Sequence, residues 1–195
     1  CQSGVDYMEI GKKLCVSDTY TREKFGKWNF CDEDDLKKVV DSYDGDKRPT
    51  LAVMYDVGRV DTDSLAPVDQ SVVGMIRTAC YVADIDKGLD LVKRSKDQGY
   101  ETTINIMAPS AAVESDLIEA LQQVENSPEV DYLYFVDSYG AFYSEQITSY
   151  LNLFKKHAPS KELGFHGHNN QQLAFSNTQQ CIIEGVNLLD ATVNG

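Results

Sequence analysis

Short apolar segments rich in β-branched residues recur along the chain, and they constrain its fold more than any other feature. Most of them are continuous apolar runs rather than alternating ones, which is typical of strands buried on both faces of a parallel sheet. The sequence predicts strands at residues 5–10, 50–55, 72–79, 101–107, 130–136, 163–168 and 187–193.

Helical segments separate most of the predicted strands. Apolar residues recur at i, i+3, i+4 and i+7 from Leu36 to Tyr43 and again from Ile147 to Phe154, so each of these segments has one apolar face. Strand and helix alternate every ~25 to 30 residues, which is the βαβ rhythm of a parallel sheet. A doubly wound sheet and a (β/α)8 barrel both satisfy this rhythm, and we expect residues 1–195 to form a single domain.

Composition and charge restrict the classes of molecule that this chain is expected to bind. The chain has 195 residues and a formal net charge of −13, and it has no stripe of Lys and Arg, which argues against nucleic acid as a partner. No apolar run approaches the ~20 residues of a membrane helix, so we expect no membrane insertion. The five cysteines are irregularly spaced, which favours reduced thiols in a cytoplasmic protein. Because the chain starts at Cys1 without an initiator Met, we expect an N-terminal piece to precede it.

Two of the three histidines, His166 and His168, lie at alternate positions of one predicted strand. Side chains two residues apart on a strand point to the same side, about 7 Å apart at Cα, so the two imidazoles can share one metal ion. They also lie at the carboxyl end of the strand, where parallel α/β folds place their active sites. We therefore predict a metal site, although two neighbouring histidines can also be purely structural. His157 follows two lysines at a helix end, and we interpret it as structural.

The motif around these histidines resembles the HMG-CoA lyase-like superfamily of metal-dependent barrels, and within it the 4-hydroxy-2-oxovalerate aldolases most closely. FHGHNN at 165–170 and LAFSN at 173–177 resemble the seventh strand of that superfamily and the helix after it. Further likenesses follow in the family's order: VDYMEIG at 5–11 to the second strand, MIRTA at 75–79 to the fourth, VDSYGA at 136–141 to the sixth and DATVNG at 190–195 to the eighth.

The resemblance implies a (β/α)8 TIM barrel that is incomplete in this chain, with strands two to eight present and the first strand and last helix missing. It implies a divalent ion, Mn²⁺ or Mg²⁺, held by His166 and His168, although two histidines would also suit Zn²⁺. The third ligand of the family is an Asp in an R-D-G motif on the first strand, beside an active-site arginine. The sequence has no R-D-G motif, so the predicted catalytic set is incomplete here.

Other residues at the ends of the predicted strands are further candidates. The resemblance suggests that Ser138 binds a substrate carboxylate, with a turn-forming serine as the alternative. Asp137, Glu9 and Arg77 are candidate catalytic residues, Asp137 by orienting its neighbours rather than by binding metal. Arg77 interrupts an apolar strand, and burying a guanidinium without a carboxylate partner is costly. It therefore either faces the polar mouth of the barrel, which we favour, or pairs with another group.

Two positions near the motif bear on the substrate. Asn170 stands where the acyl-CoA-condensing synthases of the superfamily carry Asp, which favours an aldolase. Tyr139 replaces a small residue and would reshape the substrate end, so the substrate need not be hydroxyoxovalerate. We count both as candidate substrate-binding residues.

The function that follows from the resemblance is cleavage of a 4-hydroxy-2-oxo acid into pyruvate and an aldehyde through a metal-stabilised enolate. The ion would replace a Schiff-base lysine, and no lysine falls within the predicted strand ends. One alternative is an acyl-CoA-condensing synthase or HMG-CoA-lyase-like enzyme, and another is a non-catalytic metabolite-binding barrel. A small 2-oxo acid is the expected partner, and a homo-oligomer is an open alternative.

Overall fold

The computed structural model describes residues 4–45, 47–60 and 65–192. The chain divides into two compact units, the first comprising Cys1–Ala79 and Asp90–Thr102 and the second Cys80–Leu89 and Thr103–Gly195. The units share three elements, β3 (Met75–Tyr81), α3 (Ile85–Asp97) and β4 (Glu101–Met107).

The first unit is built on parallel strands. β1 (Tyr7–Lys12) pairs with β2 (Thr50–Asp56), and β2 pairs with β3. The connection from β1 to β2 contains a short helix α1 (Arg22–Phe25), a 3-10 turn (Lys27–Asn29) and α2 (Glu33–Asp41). Helix α2 buries Leu36, which joins Val53 and Ile76 of the strands in one apolar core.

The second unit continues the same alternation. Its strands β4, β5 (Tyr132–Asp137), β6 (Glu162–Gly167) and β7 (Leu188–Leu189) pair in parallel in that order. Helices α4 (Glu114–Glu125), α5 (Ser144–His157) and α6 (Ala174–Ile183) lie between them along the chain.

The seven predicted strands are confirmed, with differences at both ends of the series. β1 ends at Lys12 rather than at Ile10, because a bulge lengthens the strand through Gly11. β7 is short, and the last residue of the predicted strand, Val193, lies outside the described residues. Helix α2 ends at Asp41, before Tyr43 of the predicted apolar face.

Strands β5 and β6 direct alternate side chains to two faces of the sheet. On one face Phe135 contacts Phe165 and, from α5, Phe154, with ring centroids 5.6 and 5.4 Å apart. On the other face the ring of Tyr134 covers Gly164, where a Cβ would collide with it. Because side chains alternate along a strand, the face of Gly164 is also the face of His166.

No helix in the described ranges combines the length and the apolar character needed to cross a membrane.

Candidate active site

The two imidazoles of the H-x-H motif lie side by side at the end of β6. The ring centroids of His166 and His168 are 5.1 Å apart. His166 Nδ1 lies 2.7 Å from Oδ2 of Asp190, which directly follows β7. A carboxylate only accepts hydrogen bonds, so this contact places a proton on Nδ1. In the neutral imidazole Nε2 then keeps its lone pair, which is the form in which histidine binds a metal.

The end of the neighbouring strand β5 positions the backbone of His168 and affects the pKa of its side chain. Its backbone N–H donates to the carbonyl oxygen of Asp137 at 3.2 Å. Partial burial lowers the pKa of His168, the neighbouring His166 lowers it further, and the negative charge of Asp137 acts in the opposite direction. Burial and the neighbouring His166 thus both favour the neutral form of the His168 imidazole, which is the form that binds a metal.

Asp137 is buried, and its carboxylate binds the backbone rather than facing solvent. The two carboxylate oxygens accept from the N–H groups of Ala141 and Phe142 at 3.1 and 3.2 Å. These bonds close the turn after β5. The Asp137 carboxylate thus holds the turn after β5, while its carbonyl oxygen accepts from the backbone N–H of His168.

Ser138 ties the end of β5 to the end of β4. Its Oγ accepts from the backbone N–H of Ala108 at 2.9 Å, and its own O–H can still donate. Ala108 has φ +45°, a left-handed conformation that costs a non-glycine residue roughly 1–2 kcal/mol. Strained backbone of this kind is common at functional sites.

The turn after Ser138 packs against the segment that follows His168. Gly140 has φ +56°, and a Cβ there would lie 2.6 Å from the backbone N of Asn170 and 2.7 Å from the carbonyl oxygen of His168. Asn170 and Tyr139 are both exposed, with Tyr139 57% exposed. The turn and the histidine segment therefore support one another within the second unit.

The remaining predicted site residues lie in the first unit. Arg77 Nη1 donates to Glu9 Oε2 at 2.9 Å, and the Arg77 side chain is only 9% exposed. Arg77 therefore pairs with a carboxylate, which was one of the two arrangements expected from the sequence.

The sequence analysis did not identify three charged residues at strand ends, namely Asp190, Lys12 and Asp56. Asp190 lay in a segment that we matched only to a strand. Lys12 ends β1, and its Nζ lies 3.0 Å from Oδ2 of Asp56, the last residue of β2. The expectation that no lysine occupies a strand end was wrong, because the bulge in β1 carries the strand two residues further than its apolar run.

His166 and His168 by themselves do not complete a metal site. Within the part of the chain that the structure describes, no three His, Cys, Asp or Glu side chains are grouped as a metal-binding cluster. His166 and His168 fit two of the three protein ligands usual at a catalytic metal. Asp190 fits the carboxylate that orients a ligating histidine.

Comparison with known proteins identifies the family. The model of the HMGL-like family matches residues 70–195. This chain belongs to the HMGL-like family. The matched part of this HMGL-like chain contains Arg77, Asp137, both site histidines and Asp190.

Curated relatives of this HMGL-like chain carry two different names. The 4-hydroxy-2-oxovalerate aldolase of Geobacillus thermodenitrificans (strain NG80-2) is 32% identical over 147 residues, which cover 75% of this chain and 42% of the relative. The oxaloacetate decarboxylase of Mycobacterium tuberculosis (strain ATCC 25618 / H37Rv) is 25% identical over 193 residues, which cover 99% of this chain and 55% of the relative. The chain spans about half the length of the curated relatives it matches.

Solved structures confirm the predicted fold class. The N-terminal domain of a candidate aldolase from Bacteroides vulgatus matches with a TM-score of 0.77 and 26% identity, over 98% of this chain and 62% of that one. The HMG-CoA lyase of Bacillus subtilis matches with a TM-score of 0.73 and 14% identity, over 100% of this chain and 66% of that one. The HMGL-like chain therefore has the α/β fold of an incomplete TIM barrel.

Proposed function

We propose that this chain carries part of the active site of a divalent-metal-dependent carbon–carbon lyase that cleaves a 4-hydroxy-2-oxo acid into pyruvate and an aldehyde. The observation that carries the proposal is the adjacent pair His166 and His168, with Nδ1 of His166 bound to Asp190 at 2.7 Å. The relatives named 4-hydroxy-2-oxovalerate aldolase support the choice of reaction.

His166 and His168 would hold the divalent ion. The family resemblance suggests Mn²⁺ or Mg²⁺, and two imidazoles also suit Zn²⁺. When bound, such an ion supplies Lewis-acid stabilisation of the negative charge that develops as the C–C bond breaks. Asp190 keeps the His166 proton on Nδ1, so that Nε2 stays available as a ligand.

The chain's other polar residues take binding and positioning roles in the proposal. Ser138 offers its O–H to a substrate carboxylate while Ala108 holds its oxygen in place. Asp137 positions the turn and, through its carbonyl oxygen, the backbone of His168. Arg77, whose guanidinium donates to Glu9, stays a candidate catalytic residue of the first unit.

The test is an activity assay of the protein expressed from its complete coding sequence. 4-Hydroxy-2-oxovalerate and Mn²⁺ are expected to give pyruvate and acetaldehyde in equal amounts, each followed by its own coupled dehydrogenase. His168→Ala should lower kcat/KM more than roughly 100-fold, since losing a ligand costs more than losing a ligand's hydrogen-bond partner. His157→Gln, which changes the remaining histidine, is the matched control.

Two results would contradict this proposal. Free thiol produced from acetyl-CoA and a 2-oxo acid, without aldehyde release from the hydroxy acid, would indicate a condensing enzyme. Absence of any divalent-ion binding in isothermal titration would leave a metabolite-binding barrel.

Decarboxylation of a 2-oxo diacid is a second candidate. The relative named oxaloacetate decarboxylase aligns with 99% of this chain, and both reactions release pyruvate after cleavage of a C–C bond. Released CO₂ rather than aldehyde distinguishes the two. Because divalent ions decarboxylate oxaloacetate by themselves, the rate must exceed that of His168→Ala at the same Mn²⁺ concentration.

A further inference from the structure

Asn177 is a buried amide of the second unit, at the end of the LAFSN segment and in the first turn of α6. Only 1% of its surface is exposed. Its Nδ2 donates to the carbonyl oxygen of Phe142 at 2.7 Å. The turn after β5 comprises residues 138–142, from Ser138 to Phe142. Asn177 therefore connects helix α6 to the turn that carries a candidate substrate-binding residue.

The backbone of Phe142 is held on both sides. Its N–H donates to Oδ2 of Asp137 at 3.2 Å, and its carbonyl oxygen accepts from Asn177. The Phe142 ring packs against Tyr150 of α5, with the ring centroids 5.0 Å apart. The last residue of the turn therefore has a fixed place between β5, α5 and α6.

Hydrogen bonds join the end of β5 and its turn to the segment after β6 at three places. The bonds run from the N–H of His168 to Asp137, from the N–H of Gln171 to Gly140 and from the side chain of Asn177 to Phe142. The first two connect backbone groups, which almost any side chain would permit, whereas the third requires a side-chain donor. A substitution at Asn177 therefore loosens the turn without changing the backbone groups at the other two places.

The second polar atom of the Asn177 amide argues against a purely stabilising role. Oδ1 is buried and, within the described part of the chain, accepts no hydrogen bond. Such an atom lowers stability. A leucine of similar shape would remove this cost but would leave the Phe142 oxygen unpaired, so the two effects on stability oppose each other. The position of the turn, rather than stability, is what the amide secures.

The two ends of the turn are held by different neighbours. At its first residue, Ser138 Oγ accepts from the N–H of Ala108 at 2.9 Å. At its last residue, Phe142 is bound to Asn177. Loss of one anchor would change the direction of the Ser138 hydroxyl, and misplacing a group of an active site by about 1 Å costs up to roughly 100-fold.

We propose that Asn177 is a positioning residue: by holding Phe142 it fixes the turn after β5, and thus the direction in which Ser138 presents its hydroxyl to a substrate carboxylate. This inference rests on the proposed lyase function, in which Ser138 binds the substrate, and it adds a residue that does not touch the substrate. Asn177 affects substrate binding only through the turn.

Hydrogen exchange tests the turn without any substrate. In Asn177→Leu the backbone amides of Ala141 and Phe142 should exchange roughly 10-fold faster or more than in the wild type. Both amides are bound to the Asp137 carboxylate, and these bonds open more often once the turn is loosened. NMR spectroscopy of the protein in D₂O measures the exchange of each amide.

The matched control is Gln180→Leu, on the same helix. Gln180 Nε2 donates to Thr148 Oγ1 of α5 at 3.1 Å, so this variant removes an amide hydrogen bond between helices and leaves the turn intact. The exchange of Ala141 and Phe142 should then stay at the wild-type rate. Exchange at these two amides that is unchanged in Asn177→Leu, or equally fast in both variants, would overturn the inference.

Kinetics of the protein expressed from its complete coding sequence test the consequence for the substrate. Asn177→Leu should raise KM for 4-hydroxy-2-oxovalerate roughly 10-fold and change kcat less than about 3-fold, since the loss concerns binding of the carboxylate. Gln180→Leu should leave KM unchanged. In the background of Ser138→Ala, Asn177→Leu should raise KM no further, because the hydroxyl that it positions is already absent. Multiplicative increases in KM would show that Asn177 does not act through Ser138.

Failure of the proposed function gives a different result from failure of this inference. If the protein does not cleave the hydroxy acid, the proposed function fails, and calorimetric titration with pyruvate in the presence of Mn²⁺ decides the inference. The wild type should then bind pyruvate roughly 10-fold more tightly than Asn177→Leu, and equal affinities, or no binding by either protein, would contradict a positioning role. Asn177→Ala, which also removes the donor and adds no volume, replaces the leucine variant if that one does not fold.

Discussion

The two units hold their strand-end polar groups in different ways. In the first unit side chains hold one another, as in the ion pairs Arg77–Glu9 and Lys12–Asp56. In the second unit the backbone does most of the holding, as in the two amide N–H groups bound to Asp137. In the first unit the position of each charged side chain therefore depends on the charge of its partner. In the second unit the position of the polar groups depends on the backbone conformation of the turns.

The largest expected effect tests the backbone support of the second unit. Gly140→Ala should destabilise the protein by roughly 2–4 kcal/mol, because the substitution adds left-handed strain to a collision with Asn170 and His168. Gly185→Ala is the matched control, since its φ is +83° but nothing lies within 4 Å of the new Cβ. Urea unfolding measures both variants. Equal losses would show that the packing of the turn against the histidine segment adds nothing.

The hydrogen bond between Asp190 and His166 in the second unit gives the next largest expected effect. Asp190→Asn should weaken Mn²⁺ binding roughly 10- to 100-fold. An amide oxygen is a weaker acceptor for the N–H at Nδ1 of His166 than a carboxylate, and an amide does not fix the tautomer of the imidazole. Isothermal titration measures the affinity. Asn187→Ala is a control three residues earlier, where the side chain bonds to exposed Glu162. Unaltered affinity in Asp190→Asn would contradict an orienting role.

The sequence predicted the strands correctly where an apolar run extends over the whole strand. Apolar segments rich in β-branched residues predicted the strands of the described residues, most clearly where burial on both faces makes the apolar run continuous. The end of β1 was missed because Gly11 and Lys12 are not apolar, and a bulge is visible only once the partner strand is known.

The site followed from the sequence only where its residues are close along the chain. His166 and His168 were found through the two-residue period of a strand. Asp190 lies 24 residues from His166, and no periodicity links the two positions. Lys12 was missed because the predicted strand ends at Ile10, whereas the bulge carries β1 to Lys12.

A double-mutant cycle tests whether the charges of the first unit depend on each other. Glu9→Gln should cost about 2 kcal/mol and Arg77→Met about 1 kcal/mol, because the guanidinium, 9% exposed, is harder to hydrate alone than the carboxylate, 28% exposed. The double variant should be little worse than Arg77→Met. Urea unfolding of all four proteins gives the coupling energy. If the losses in free energy of unfolding were additive, the two charges would not depend on each other, which would contradict the description of the first unit.

The smallest expected effect is a difference in the rate of alkylation between a buried thiol of the first unit and a buried thiol of the second. Burial raises the pKa of Cys31 to about 11 in the first unit and the pKa of Cys181 to about 12 in the second. A raised pKa lowers the thiolate fraction at a given pH, and only the thiolate reacts with iodoacetamide. At pH 8 we therefore expect Cys15, the exposed one among the described cysteines, to react before the buried ones, and Cys31 to react before Cys181.

Mass spectrometry after timed labelling assigns each modified cysteine, and the rate at Cys31 should rise about 10-fold per pH unit below its pKa. Cys15→Ser removes the fast site and leaves the comparison of the two buried thiols intact. A faster reaction at Cys181 than at Cys31 would reverse the expected order. It would mean that the second unit opens more readily than the first, although its turns are tied by backbone hydrogen bonds.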